Sequence, residues 1–220
     1  MRLTLFDLDH TLLNGDSDAL WCDFLMQQGV VERERFAARN ADMEARYRAG
    51  TVGTEEFSAF YISTLMACTR QQCETLRQVF LQTQIIPRIT RPAVDLVRQH
   101  LNDGDLVVMT TATNRFITEL TAKYLDIEHL IATELEMQDD RFTGRSTGVL
   151  NMREGKVTRL HDWLQSSGQR LDDFDSTAYS DSINDLALLM AVNRPVAVNP
   201  DAQLRVKVQV LGWKILEWPT

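Results

Sequence analysis

LTLFDLDHTLL, residues Leu3–Leu13, carries an apolar run straight into two aspartates one residue apart, and then a threonine. Residues 3–8 read as a short buried strand bounded by charge. Two carboxylates that close raise each other's pKa and cost stability unless something positive joins them. A strand tip reaching water and a reactive site both account for Asp7 and Asp9. The choice depends on what else falls at strand ends.

Working outward, glycine and proline become rare from about Asp16 to Thr83. ALWCDFLMQQGVV (19–31), ERERFAARNADMEARYRAG (32–50), TVGTEEFSAFYISTLM (51–66) and TRQQCETLRQVFLQTQ (69–84) show helical spacing with charged outer faces. They predict an all-helical insertion. Thr54 and the glutamates after it are start signals, and the charge run Glu32–Arg35 reads as a solvated helix face. PAVDLVRQHLND (92–103) then predicts a helix with Pro92 in its first turn and Gly104 just past its end.

From there strands and helices alternate. DLVVMTT (105–111) is a strand, NRFITELTAKYLD (114–126) a helix, and LIATELEMQDDRFTGR (130–145) a strand and hairpin. KVTRLHDWLQSSG (156–168) is a helix, STAYSDS (176–182) a strand end, INDLALLMAV (183–192) a helix and PVAVNP (195–200) a strand. LGWKILEW (211–218) predicts a closing strand packed by Trp213 and Trp218. Strands separated by helices of this length mean βαβ units, hence a mostly parallel sheet flanked by helices.

The chain has 220 residues, enough for one domain with an inserted lobe. A formal net charge of −8 argues against a nucleic-acid surface, whose footprint is basic. It leaves anionic substrates open, because a metal and one or two placed cations dominate a local field. Cys22, Cys68 and Cys73 are odd in number and lack C-x-x-C spacing, which predicts small buried thiols in a reducing compartment. No signal peptide or membrane-length apolar run is visible, so a soluble cytoplasmic protein with no membrane partner is expected.

In an open parallel sheet, ligands bind outside the carboxyl ends of the strands. Asp7 and Asp9, Thr110 and Thr111, Lys156, and Asp181 and Asp185 all fall at predicted ends. Each has a plain alternative: a solvated strand tip, a helix cap, a surface lysine, a capping aspartate. Together they make sense as a phosphoryl-transfer site. One carboxylate attacks phosphorus, and a second moves protons to the leaving oxygen and from water. A lysine and a hydroxyl hold the phosphoryl oxygens. Acidic ligands without histidine or thiolate clusters suit Mg²⁺.

These residues also carry a family resemblance. DLDHT resembles the D-x-D-x-T signature of the haloacid-dehalogenase-like (HAD) phosphatases. The run ending in Thr111, Gly155–Lys156 and SDSIND resemble that superfamily's second, third and fourth motifs, in order and over nearly the whole chain. The resemblance, to subfamily IB with its phosphoserine-phosphatase-like and histidinol-phosphatase-like members, implies a Rossmann-like core and a small all-helical C1-type cap. The core would comprise residues 1–15 and 86–220, and the cap 16–85.

It further implies Asp7 as nucleophile and Asp9 as general acid/base. Asp7, the Asp9 backbone carbonyl and Asp181 would bind Mg²⁺. Thr111, Ala112, Lys156 and Asn184 would hold the phosphate, with Asp185 fixing Lys156. The motif favours Thr111 over Thr110 without deciding between them. The activity implied is hydrolysis of a small phosphomonoester, histidinol phosphate or a phosphoserine-like amine, by a monomer or homodimer. Transfer to an acceptor other than water is the alternative, and a receiver-like signalling domain a remote one.

The chain departs from a phosphoserine phosphatase in its cap: Asp16 stands where a glutamate is expected, and the cap arginine has no match in FSAFYIS (57–63), where Phe60 or Tyr61 falls. Asp16, Asp18, Trp21 and Tyr47 are the residues expected to read the leaving group, Trp21 having packing in the cap interior as its plain alternative. If Asp16 and Asp18 line the pocket, a cationic amine on the substrate follows. His10 is read as a tolerant position within the first motif.

Overall fold

Strand β1 (Arg2–Phe6) lies at the centre of a seven-stranded sheet, between β2 (Leu106–Asn114) and β5 (Asp175–Ser180). Leu5 pairs with Val108 on one side and Ala178 on the other, both in parallel register. The computed structural model describes residues 1–218. Beyond β2 the sheet continues through β3 (His129–Gln138) to β4 (Arg141–Thr147), the one antiparallel pair. Beyond β5 it runs through β6 (Arg194–Val198) to β7 (Lys214–Leu216). The sheet is therefore mostly parallel, as expected.

Helices cover both faces, so the central strands are buried on both sides. Leu3 and Leu5 pack with Leu160 and Leu164 of α7 (Glu154–Ser166), Leu188 and Leu189 of α8 (Leu186–Ala191), and Leu204 and Val208 of α9 (Ala202–Leu211). Phe6 faces the other way, into a cluster with Val97 of α5 (Arg91–Asn102) and Ile117 of α6 (Arg115–Tyr124). Four helices precede α5: α1 (Ser17–Gln27), α2 (Arg33–Arg48), α3 (Thr54–Thr64) and α4 (Arg70–Phe80). Their buried Trp21, Phe24, Phe57 and Phe80 belong to that same cluster. The helical block is thus anchored to one face of the sheet by a continuous apolar core.

No element is expected between the strand at 195–200 and the closing strand at 211–218. The structure forms α9 there instead. The Asp201 side chain accepts the Leu204 N–H at 2.7 Å to start the helix, and left-handed Gly212 stops it. The cysteine expectation is corrected as well. Cys68 and Cys73 are disulfide-bonded across the α3–α4 connection, with Cα atoms 5.9 Å apart, and Cys22 is the buried free thiol. No C-x-x-C pattern announces this, because the chain turn between two helices brings the pair together.

Among the described residues no helix is long and apolar enough to cross a membrane.

Candidate active site

Asp7 is the first residue beyond β1, and its N–H still bonds the Tyr179 carbonyl of β5 at 3.0 Å. The strand therefore delivers its carboxylate to the end of the sheet centre. From α7, Lys156 Nζ reaches Asp7 Oδ1 at 2.7 Å and Asp185 Oδ2 at 2.6 Å. Asp185 Oδ2 also accepts from Ser180 Oγ at 2.8 Å. Burial by itself would favour neutral Lys156, but Asp185 and Asp7 outweigh it and hold the ammonium charged. Only Gly155 permits this turn. A Cβ there would run into the Leu150 carbonyl.

Thr11, the threonine of the opening stretch, ties the first and last segments together. Its Oγ1 lies 3.1 Å from Asp7 Oδ2 and 3.3 Å from Asp181 Oδ1, and it accepts the Asp181 N–H at 3.0 Å. Burial pushes the Asp7 carboxyl up to about 7, against the pull of Lys156. Asp181 is raised by burial and by the nearby Asp7 and Asp185. Three buried carboxylates, Asp7, Asp181 and Asp185, therefore lie around one ammonium, an excess of negative charge that a divalent cation would relieve. Among the described residues no three His, Cys, Asp or Glu side chains form a metal cluster. The donors present fit a hard cation held by two carboxylates, Asp7 and Asp181, and a backbone carbonyl.

Asp9 points to the other side of the site. Its Oδ1 accepts the Ser17 N–H at 2.7 Å, and its Oδ2 accepts from Thr111 Oγ1 at 3.3 Å and Thr113 Oγ1 at 3.1 Å. The alternation of β2 sends the two threonines to different partners. Thr111 faces Asp9, whereas Thr110 Oγ1 is engaged by Asn151 Nδ2 at 3.0 Å. A register break between Thr111 and Asn114 takes the strand end out of the ladder, where Ala112 is half-buried and its carbonyl accepts from Thr133.

Asp16 caps α1, accepting the Ala19 N–H at 2.9 Å, and burial together with Asp9 and Asp18 pushes its carboxyl well up. Asp18 Oδ2 accepts from Thr113 Oγ1 at 3.0 Å. Its other oxygen has no partner, and burial raises the group to about 8. The phenol of Tyr61 is likewise buried without a partner and is held protonated by burial beside Asp16 and Asp18.

Two expectations are corrected. Trp21 does not reach the cavity. It is 0% exposed, with its ring 5.1 Å from Phe80 and 5.8 Å from Phe24, because a large apolar ring gains more in the helical interior. Asn184 is turned toward the helical block rather than toward Asp7. Its Nδ2 donates to the Tyr47 carbonyl at 2.9 Å and its Oδ1 accepts from Arg153 Nε at 3.2 Å.

Asp7, Asp9 and Asp181 open into a cavity of about 470 Å³, lined also by His10, Tyr47, Arg48, Asn199 and Trp218, whereas Asp16 and Asp18, expected to line it, are buried behind it. His10 adopts φ 55°, and its buried Nε2 has no partner. Thr11, Thr113, Asn151 and Arg153 stand among the site's supports without having been singled out from sequence. Two of them carried a signal: Thr11 is the threonine of the D-x-D-x-T stretch, and Thr113 lies two residues past Thr111.

Known proteins resemble this chain over nearly its whole length. The haloacid dehalogenase-like hydrolase family profile matches residues 4–190. A histidinol-phosphatase of Neisseria meningitidis serogroup C is 36% identical over 219 residues, covering 99% of each chain. A crystal structure of a protein of unknown function from Bordetella pertussis is 44% identical, with a TM-score of 0.93 over 98% of this chain and 97% of that one. A substrate-bound phosphoserine phosphatase shares the fold, at 18% identity and a TM-score of 0.70 over 94% of this chain and 90% of that one. The chain therefore belongs to the haloacid dehalogenase-like hydrolase family.

Proposed function

We propose that this phosphatase hydrolyses a small phosphomonoester bearing a cationic amine, with Mg²⁺ and through an aspartyl-phosphate on Asp7. The observation that carries the mechanism is Lys156 lodged between Asp7 and Asp185. A lysine so fixed neutralises phosphoryl oxygens beside the attacking carboxylate without needing to reorganise. Asp7 forms the bond to phosphorus as the bond to the leaving oxygen breaks, and Asp9 gives that oxygen its proton. Asp9 then takes a proton from water as the water oxygen attacks phosphorus. The P–O bond to Asp7 breaks, which frees inorganic phosphate.

Thr111, at the Asp9 side, supplies a hydroxyl for the phosphoryl group, and Ala112 follows it at the strand end. Asp7, Asp181 and the Asp9 carbonyl would hold Mg²⁺, which supplies charge neutralisation at the transferring group. The helical block of residues 16–85 acts as the cap over the cavity, keeping bulk water from the reacting groups.

Asp16 and Asp18 support an ammonium on the leaving group. Both are buried next to the cavity's Asp9 side, and Asp18 Oδ1 lacks the donor that an ammonium would supply. The position where a cap arginine would hold a carboxylate is filled by buried Phe60 and Tyr61. That observation, with the full-length similarity to a histidinol-phosphatase, favours an amino alcohol phosphate over an amino acid phosphate. Exposed Arg48 at the cavity is the cation that would serve the second reading.

The deciding measurement is phosphate release from histidinol phosphate, phosphoserine and phosphoethanolamine, with and without Mg²⁺. Phosphoserine as the best substrate would overturn the preference. Asp7→Asn should lower turnover by on the order of 10⁴-fold or more. Wild-type rates in that variant would overturn the mechanism. Capture of phosphate by added alcohols in preference to water would make the enzyme a transferase.

A further inference from the structure

Arg153 sits immediately before α7 with φ 52°, a backbone conformation that costs a non-glycine residue energy and is held only where its surroundings impose it. The same tight turn aims two side chains in opposite directions. Lys156 goes inward to Asp7 and Asp185. Arg153 goes outward, where Nη2 donates to the carbonyls of Gly50 at 3.1 Å and Val52 at 2.9 Å. Its Nε donates to Asn184 Oδ1, and Asn184 Nδ2 donates in turn to the Tyr47 carbonyl. Gln203 adds a bond to the Ala49 carbonyl at 3.0 Å.

Core side chains thus hold four carbonyls at and just past the carboxyl end of α2. That end carries partial negative charge, which a guanidinium complements. Gly50, at φ 70°, sits close to the core. A Cβ on it would already be 3.8 Å from Asn184 Oδ1. The two main donors also belong to the reacting segments. Arg153 lies three residues before Lys156, and Asn184 one residue before Asp185. Both segments are short turns locked by their own hydrogen bonds, Lys156 N–H to the Arg153 carbonyl at 3.1 Å and Asp185 N–H to the Ser182 carbonyl at 3.0 Å.

We propose that Arg153 is a positioning residue that docks residues 47–52 of the helical block onto the turns carrying Lys156 and Asp185, so that closure over the cavity and alignment of the phosphate-holding ion pair occur together. The activity side of this proposal rests on the phosphatase reading above; the docking side does not.

The test uses Arg153→Ala and Arg153→Lys in the full chain. Amide hydrogen exchange is followed at residues 47–52 without substrate, alongside steady-state turnover of an aryl phosphate. In both variants exchange at 47–52 should rise about tenfold while β1 and β5 stay protected, since lysine is a point charge and cannot bridge two carbonyls as the fork does. KM should rise and kcat/KM fall by about tenfold, for loss of charge-assisted hydrogen bonds. Millimolar guanidinium should restore part of the Arg153→Ala rate. Unchanged exchange at 47–52 would overturn the proposal, and so would lost activity with loosening of β1 and β5 and no rescue. A wild-type protein inactive on every phosphomonoester would sink the phosphatase reading while leaving the exchange result to decide the docking.

Discussion

The Lys156 ammonium lies 2.6 Å from Asp185 Oδ2, and both side chains are nearly sealed from water, at 1% and 2% exposure. A buried pair of this kind contributes little by existing and costs a great deal when half of it is removed.

Asp185→Asn keeps the shape but removes the charge. It should destabilise the fold by about 3 kcal/mol in denaturant titration, the lower end for breaking a buried pair. It should also cut kcat/KM, since Lys156 is then held by Asp7 alone. A variant as stable as the wild type would show that the pair is not the constraint it looks.

Thr11 supports two carboxylates through one hydroxyl. Thr11→Val removes that link while keeping the side-chain volume. The Mg²⁺ concentration for half-maximal activity should rise about 10–100-fold, as when partners of metal ligands are removed. Activity that saturates at the wild-type Mg²⁺ level would remove Thr11 from that role.

Asp18 gives a pH signature. Burial, reinforced by Asp9, raises its carboxyl to about 8 in the folded protein. In the unfolded chain it ionises near about 4. Between those values the folded state keeps a proton that the unfolded chain has released. Stability from this group is therefore present at low pH, falls as pH rises through the window, and levels off above it. Asp18→Asn should melt higher than the wild type near about pH 8 and similarly near about pH 4. Melting curves that run parallel across the range would contradict this.

Asp16 caps α1, and in the proposed function it also faces the substrate's amine; one substitution separates the two. Serine caps a helix as well as aspartate does but carries no charge. Asp16→Ser should leave the melting temperature nearly unchanged near about pH 4, where the buried carboxyl is neutral, and raise it at higher pH, as for Asp18. It should raise KM about tenfold for amine-bearing phosphates, the equivalent of one charged contact of about 1.4 kcal/mol. KM for an uncharged aryl phosphate should not move. Equal effects on both substrates would show that Asp16 acts only on the helix.

How much of this was legible in the chain follows from the range of each interaction. The α/β order, the helical block, the strand ends bearing Asp7, Asp9, Thr111, Asp181 and Asp185, and the helix start bearing Lys156 all follow from local signals: period, caps and charge placed after apolar runs. Helix α9 did not, because alternating valines mimic a strand until Asp201 and Gly212 are seen capping it.

By itself, then, LTLFDLDHTLL and its counterparts determined that acidic, hydroxyl and cationic side chains would emerge at one end of a parallel sheet. Alternation along a strand and the direction of βαβ units require it. The tertiary structure alone decided which groups meet. Lys156 reaches Asp7 across 149 positions of sequence, and Arg153 reaches Val52 across 101. It also sent Trp21 into the apolar interior and turned Asn184 to the Tyr47 carbonyl. Such contacts depend on how helices and sheet pack in three dimensions, and no local period encodes that.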